Sequence, residues 1–179
     1  VEIIRIQELG GVSNAILKGT DIARNMAIEI SGLQREETDI SEVVMSIKCG
    51  ASDTTSGIAS NCVIGYVADK LVDLGATVIF GETTEFIGGE HLLARRAVGG
   101  ENGPVGRKIY QIVYEMEGRA KAIGCDMRKG QPTPGNIAGG LSSIEEKSLG
   151  AIMKSGSRPI QGVLEYPQHA AGCKGLWIK

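Results

Sequence analysis

Two short apolar runs, at residues 43–47 and 76–80, are separated by one segment with helical spacing. That segment, 61–74, carries Val63, Ile64, Val67, Ala68, Leu71 and Val72 toward one side, and Gly75 stands where the helix should stop. Strand, helix and strand in this order predict a parallel pair with a right-handed crossover. The first strand, read over 42–49, is near-continuously apolar, as expected of a strand covered on both faces. The fold class that follows is α/β: a three-layer, Rossmann-like domain with a mostly parallel sheet flanked by helices.

The other elements fit around this unit. Ile22, Met26, Ile30 and Leu33 recur at helical spacing and predict a helix over 12–33, followed by a polar linker over 34–40. A short helix is expected over 90–97, broken by Gly99-Gly100. A longer one is expected over 106–123, with Ile109, Ile112, Val113, Met116 and Ala120 on one face. Residues 131–140, rich in Pro, Gly and Asn, read as irregular. Ser142 and Ser143 each precede a glutamate by three residues, which predicts a helix opened by capping boxes and ended at Gly156. A third strand is read over 160–165, and the tail from Tyr166 to Lys179 shows no clear period.

Composition narrows the function classes. A chain of 179 residues is long enough to bury a core and is read as a single domain, 1–179. The net charge of −2 leaves no footprint for nucleic acid or an anionic membrane, and no apolar stretch is long enough to span one. No signal peptide is read, and a start at Val1 instead of Met is compatible with a removed native N-terminus. Cys49, Cys62, Cys125 and Cys173 have no CxxC spacing, so they are expected to be reduced thiols of a cytoplasmic protein. No GxGxxG follows a strand, which disfavours a dinucleotide site.

Chemistry-bearing residues gather in loops that follow strands. Lys48-Cys49-Gly50-Ala51-Ser52-Asp53-Thr54-Thr55-Ser56-Gly57 places a thiol, a carboxylate and several hydroxyls at a strand's carboxyl end, where α/β folds hold ligands. Gly81-Glu82-Thr83-Thr84-Glu85, with His91 beyond it, follows the second strand. If the strands are neighbours, Asp53, Glu82, Glu85 and His91 converge into a donor set suited to Mg²⁺, Mn²⁺ or Fe²⁺. A thiolate at Cys49 would favour Fe²⁺ or Zn²⁺. The plainer reading is a solvated acidic loop in which the glutamates cap the next helix. Pro132–Asn136 with Gly139-Gly140 offers backbone N–H groups to an anion, or is only a connecting loop. Glu145, Glu146, Lys147 and Lys154 read as a solvated helix face, and His169 with Cys173 is a weak metal signal.

In their order these segments resemble the altronate/galactarate dehydratase family. Lys48-Cys49-Gly50-Ala51-Ser52-Asp53 with Ser56-Gly57 is similar to its Cys-Gly-Gly-Ser-Asp…Ser-Gly segment, with Ala51 in place of the second glycine. Gly75-Ala76-Thr77-Val78-Ile79-Phe80 with Glu82-Thr83-Thr84-Glu85 resembles a second segment. Pro132 through Asn136, Gly139-Gly140-Leu141 and Glu145-Glu146-Lys147-Ser148-Leu149-Gly150 resemble a third. Within the family, residues 85–93 and 158–166 are most similar to the large-subunit sequences of the sulfolactate sulfo-lyase branch.

The resemblance implies a middle, catalytic fragment of a longer protein, with an N-terminal β-rich domain or small subunit, a further C-terminal region, and room for a homo-oligomer. It implies a lyase that performs metal-assisted β-elimination from a small anionic hydroxy-acid, losing water from a sugar acid or sulfite from sulfolactate. The implied catalytic residues are Cys49, Ser52, Asp53, Glu85 and His91, and the substrate-binding residues are Thr54, Ser56, Asn136 and Lys147. The implied metal is divalent, Fe²⁺ before Mn²⁺ or Mg²⁺, on Asp53, Glu82, Glu85 and His91. The competing class is a non-catalytic domain that holds an anion or metal in the same loops.

Overall fold

The computed structural model describes residues 2–81, 83–166 and 168–179. It divides into two compact units, Val1–Thr38 and Asp39–Lys179. The first is built on helix α1 (Val12–Ser31). Its N-cap is Gly11, at φ 129, and the N–H groups of Gly32 and Leu33 close the last turn onto Glu29 and Ile30. Met26, Ile30 and Leu33, three of the four residues that predict this helix, are exposed.

The second unit holds the sheet. Its strands are β1 (Val44–Ile47), β2 (Thr77–Phe80), β3 (Ile160–Val163) and β4 (Gly175–Ile178). Their order across the sheet is β1-β2-β4-β3, and every pairing is parallel. Helix α2 (Asn61–Asp73) joins β1 to β2. Between β2 and β3 run α3 (Glu90–Arg96), α4 (Pro104–Ala122), the single turns α5 (Met127–Gly130) and α6 (Pro134–Ala138), and α7 (Ile144–Ile152). The core is aliphatic, around Val78, Phe80, Phe86, Leu93, Ile109, Ile160, Leu176 and Ile178, and two phenylalanines, Phe80 and Phe86, lie 5.8 Å apart at its centre. This is the α/β, helix-flanked parallel sheet that the apolar runs predict. No helix among the described residues is long and apolar enough to cross a membrane.

Several local expectations need correction. β2 is buried throughout, but β1 lies at the sheet edge, with Val44 and Ser46 exposed. Val44 and Ser46, two residues apart, share one face of the strand, and that face is open to solvent while Ile47 turns inward. The buried face of α2 is Asn61, Gly65 and Ala68, whereas Val63 and Val67 are exposed. The cause is close packing: a Cβ on Gly65 would lie 2.1 Å from the Met153 carbonyl oxygen, so this face takes small residues where it crosses the chain after α7. The stop of α2 is as expected. Gly75, at φ 83, donates to Val72 O while Ala76 donates to Leu71 O, the paired bonds of a glycine-terminated helix.

The stretch 131–140 is less irregular than its composition suggests. It contains α6, capped reciprocally by Thr133 and Asn136, with Pro134 in its first turn. The tail holds β4, inserted between β2 and β3. Only one of the two serines before α7 caps it. Ser143 accepts from the Glu146 N–H, while the Glu146 carboxylate receives Ser142 N–H at 2.7 Å and its hydroxyl at 2.5 Å.

Candidate functional site

The loop after β1 is shaped by Asp53. Its Oδ1 accepts from Thr55 N at 2.8 Å, Thr55 Oγ1 at 2.7 Å and Ser56 N at 3.0 Å. These bonds start the helical turn at Thr54, which passes through a π-helical turn, Ser56–Ser60, into α2. The hydrogen bond from the Thr55 hydroxyl, with others from Thr55 and Ser56, holds the Asp53 carboxyl below its ordinary range. Asp53 is thus the cap of a helix start, the commonest task of an aspartate followed by Thr and Ser.

A second segment locks this loop in place. Asn136, in the middle of α6 and buried, donates from Nδ2 to Ser52 O at 2.9 Å. Its Oδ1 accepts from Thr133 Oγ1 at 2.9 Å and from Lys147 Nζ at 3.0 Å. Lys147 also donates to Gln131 Oε1 at 2.8 Å. Thr54 N and Oγ1 both donate to Gly139 O, at 3.0 and 3.1 Å. The glycine pair serves contact and not anion binding. The N–H groups of Gly139 and Gly140 close α6 onto Gly135 and Ile137, and a Cβ on Gly139 would stand 2.8 Å from Asp53 Cβ.

These contacts enclose a cavity of about 300 Å³. Ser52, Asp53, Thr54, Ser56 and Lys147 line it, with Asn61 and Glu146. Five residues expected in the site therefore share one wall, and Asn136 stands behind it, holding Ser52 and Lys147. Gly57 and Gly150 let the loop and α7 approach: a Cβ on Gly57 would come within 3.0 Å of Gly150 Cα.

Beneath Ser52 lies a buried polar group that sequence reasoning missed. Lys154 Nζ meets Glu85 Oε2 at 2.8 Å, with side chains only 4% and 6% exposed. The Cys49 sulfur lies 3.3 Å from Ser52 Oγ. Burial first, and Glu85 next, push the thiol's pKa up. Lys154, expected on a solvated face, is turned inward by the 3₁₀ turn Met153–Ser155 that extends α7. The one signal for it was the stripe Ile144, Ser148, Ala151, Ile152 and Ser155, all buried, which brings its neighbours to the core.

Of the expected metal set Asp53, Glu82, Glu85 and His91, three residues are described. His91, on α3, acts electrostatically on Glu101, which accepts from Tyr110 and Arg95. Asp53 is engaged as a cap and Glu85 with Lys154. Glu82 lies outside the described residues. Among the described residues no group of three or more His, Cys, Asp or Glu side chains is placed to hold a metal ion. A second, larger cavity of about 530 Å³ opens at the carboxyl ends of the strands, beside Ile47, Lys48, Ile79, Arg119, Leu164 and Lys179.

Fold and cavity define an α/β domain whose strand-end loops and α7 present a small cavity of hydroxyls, two carboxylates (Asp53 and Glu146) and an ammonium group, suited to a small polar ligand. Residues 40–179 match the family model of the C-terminal domain of D-galactarate/altronate dehydratase, and the chain belongs to that family. It is 44% identical to the (2R)-sulfolactate sulfo-lyase subunit beta of Chromohalobacter salexigens, over 96% of this chain and 43% of that one. It is 41% identical to the galactarate dehydratase (L-threo-forming) of Escherichia coli, over 80% of this chain and 27% of the relative. To the altronate dehydratase of Bacillus subtilis it is 32% identical, over 98% of this chain and 34% of the relative. The chain thus spans less than half the length of these curated relatives.

Proposed function

We propose that this domain supplies the substrate-binding wall of a lyase that performs β-elimination on a small hydroxy-carboxylate. The relatives' names bound the choice to altronate, galactarate and sulfolactate. In each case a proton leaves the carbon α to a carboxylate and its electron pair becomes the new C=C bond. The adjacent C–O or C–S pair departs with water or sulfite. The resulting enol then tautomerises to a keto-acid.

The observation that carries this reading is Lys147 on the wall beside the hydroxyls of Ser52, Thr54 and Ser56. An ammonium has three donors. Among the described residues Asn136 and Gln131 take two of them, leaving the third for a carboxylate in the cavity. A fixed cation at the carboxylate also stabilises the charge that builds up as the α-proton leaves. The hydroxyls suit the polyhydroxy body or the hydroxyl of such an acid. Among the described residues no group of three or more His, Cys, Asp or Glu is placed to hold a divalent ion, so the reading is argued from the chain's own cation and hydroxyls.

The test offers full-length protein altronate, galactarate and sulfolactate, with Fe²⁺, with Mn²⁺ and with a chelator, and measures keto-acid and sulfite. The expected result is turnover of one acid, and a loss of about 10²-fold or more in kcat/KM for Lys147→Met. Inactivity on all three acids with every ion would sink the lyase reading. One observation favours the non-catalytic alternative: the two carboxylates that line the cavity are already engaged, Asp53 as a cap and Glu146 with Ser142. Binding of an acid without turnover would establish it.

A further inference from the structure

Asn61 opens α2 and is only 5% exposed, yet one end of its side chain is unused. Its Nδ2 donates to Gly150 O at 2.9 Å. A backbone carbonyl only accepts, so the nitrogen of the amide must face Gly150 and the oxygen must point away from it. No donor among the described residues reaches that Oδ1. Nor is the oxygen sealed in: among the described residues the one fully buried side-chain nitrogen or oxygen without a partner is Arg96 Nε, on α3. Asn61 lines the cavity of Ser52, Thr54 and Lys147, and there its oxygen is reached.

The backbone fixes this oxygen in place. The Asn61 N–H reaches back to Ser56 O and closes the π-helical turn Ser56–Ser60. Such turns are rare and recur at functional sites. Gly57, in the same turn, packs so closely on Gly150 that a Cβ there would come within 3.0 Å of it, so the acceptor that orients the amide is held rigidly. Thr54, also on the wall, is committed in a similar way. Its hydroxyl proton goes to Gly139 O at 3.1 Å, which leaves its oxygen only to accept. The cavity therefore sets one ammonium, Lys147, beside oriented acceptors. A ligand that displaces solvent from it must supply a donor to Asn61 Oδ1 or leave a desolvated acceptor unpaired.

We propose that Asn61 determines specificity at this site: its Oδ1 accepts a hydrogen bond from a hydroxyl group of the bound acid, while Lys147 holds the carboxylate. This role rests on the cavity being the substrate site of the proposed lyase. It names what separates a hydroxy-acid from a plain acid of the same charge and length. The simpler role of Asn61, a tie between α2 and α7 through Gly150 O, uses the amide nitrogen alone and does not distinguish the two acids.

Two measurements on the full-length protein test this. The first is calorimetric binding of altronate, galactarate and sulfolactate, each against the same acid without hydroxyls: hexanoate, adipate and 3-sulfopropionate. For the acid that binds, Asn61→Ala is expected to shrink the preference for the hydroxylated form by about five- to tenfold, the worth of one hydrogen bond. Loss of a tie weakens both acids alike and leaves their ratio unchanged.

The second measurement guards against loss of fold in the alanine variant. With the side-chain carbonyl of asparagine isotope-labelled, infrared difference spectra of the wild-type protein isolate the amides that change on binding. The Asn61 band, assigned by its absence in Asn61→Asp, should lie at lower frequency in the complex with the hydroxylated acid than in the complex with its deoxy counterpart. An unchanged preference in Asn61→Ala, or one carbonyl frequency in both complexes, overturns the role of Asn61 and leaves the lyase reading standing. Failure of all three hydroxylated acids to bind refutes both.

Discussion

Removing one member of the Glu85–Lys154 pair should cost far more than removing both. The two side chains are 6% and 4% exposed and 2.8 Å apart, so neither charge is solvated. At an effective dielectric near 20 their attraction is about 6 kcal/mol. The cost of desolvating both ions is several kcal/mol each, so the pair as a whole is close to neutral for stability. Lys154→Met removes the attraction and leaves the Glu85 carboxylate buried without its cation, a loss of about 3–5 kcal/mol. Against a total of about 5–15 kcal/mol for a domain, that is a large fraction. Glu85→Leu/Lys154→Met removes both charges and should be less destabilised than either single variant, with a strong positive coupling. Urea unfolding followed through Trp177, on β4 of the same sheet, measures all four corners of the cycle. A cost below about 1 kcal/mol for Lys154→Met, or a double variant equal to the sum of the singles, would refute the reasoning.

Four further outcomes follow from the geometry. Gly65→Ala should destabilise by about 1–3 kcal/mol, because its Cβ would stand 2.1 Å from the Met153 carbonyl oxygen; wild-type melting in the variant would contradict the packing described. Asn136→Ala should cost about 1–3 kcal/mol and speed amide exchange across residues 50–57, since Ser52 O and Lys147 lose a buried partner; unchanged exchange would separate α6 from the loop. Tyr110, donating to Glu101, has its pKa pushed up to about 12, first by that hydrogen bond. Its ultraviolet phenolate titration should fall back toward the usual value near 10 in Glu101→Gln. Because Asp53 has a lowered folded pKa, its contribution is present above the unfolded value of 3.8 and fades as pH falls through the folded one. The melting difference between wild type and Asp53→Asn should therefore close in strong acid, and a gap that persisted there would speak against the cap.

The parts of the fold set by local sequence were legible in it. The helical period after β1, the Gly75 stop and the uninterrupted apolar run of β2 each act through neighbours a few residues away. What the sequence hid depends on distant partners. Gly65 belongs to the buried face of α2 only because the chain after α7 crosses there. Lys154 is buried only because Glu85, 69 positions earlier, awaits it. Four residues of β4 carry too little pattern to announce a strand, yet β2 and β3 need them between. In the site, Ser52, Thr54, Ser56 and Lys147 were found from strand-end placement and resemblance. Asp53 and Glu85 were also singled out, but a carboxylate's residue type does not tell a ligand from a cap or an ion-pair partner.

The place of β4 also orders events during synthesis. β2 is made early, but its inner neighbour in the sheet leaves the ribosome only after five helices and β3. At about 5–20 residues per second, the β2 edge waits on the order of 5–20 s for Gly175–Ile178. During that interval Val78 and Phe80 have no completed sheet to occupy, and the open edge is a template for pairing with another nascent chain. Release of a chain stopped before Gly175 would leave that edge open permanently, so such fragments should be ready clients for chaperones and proteases.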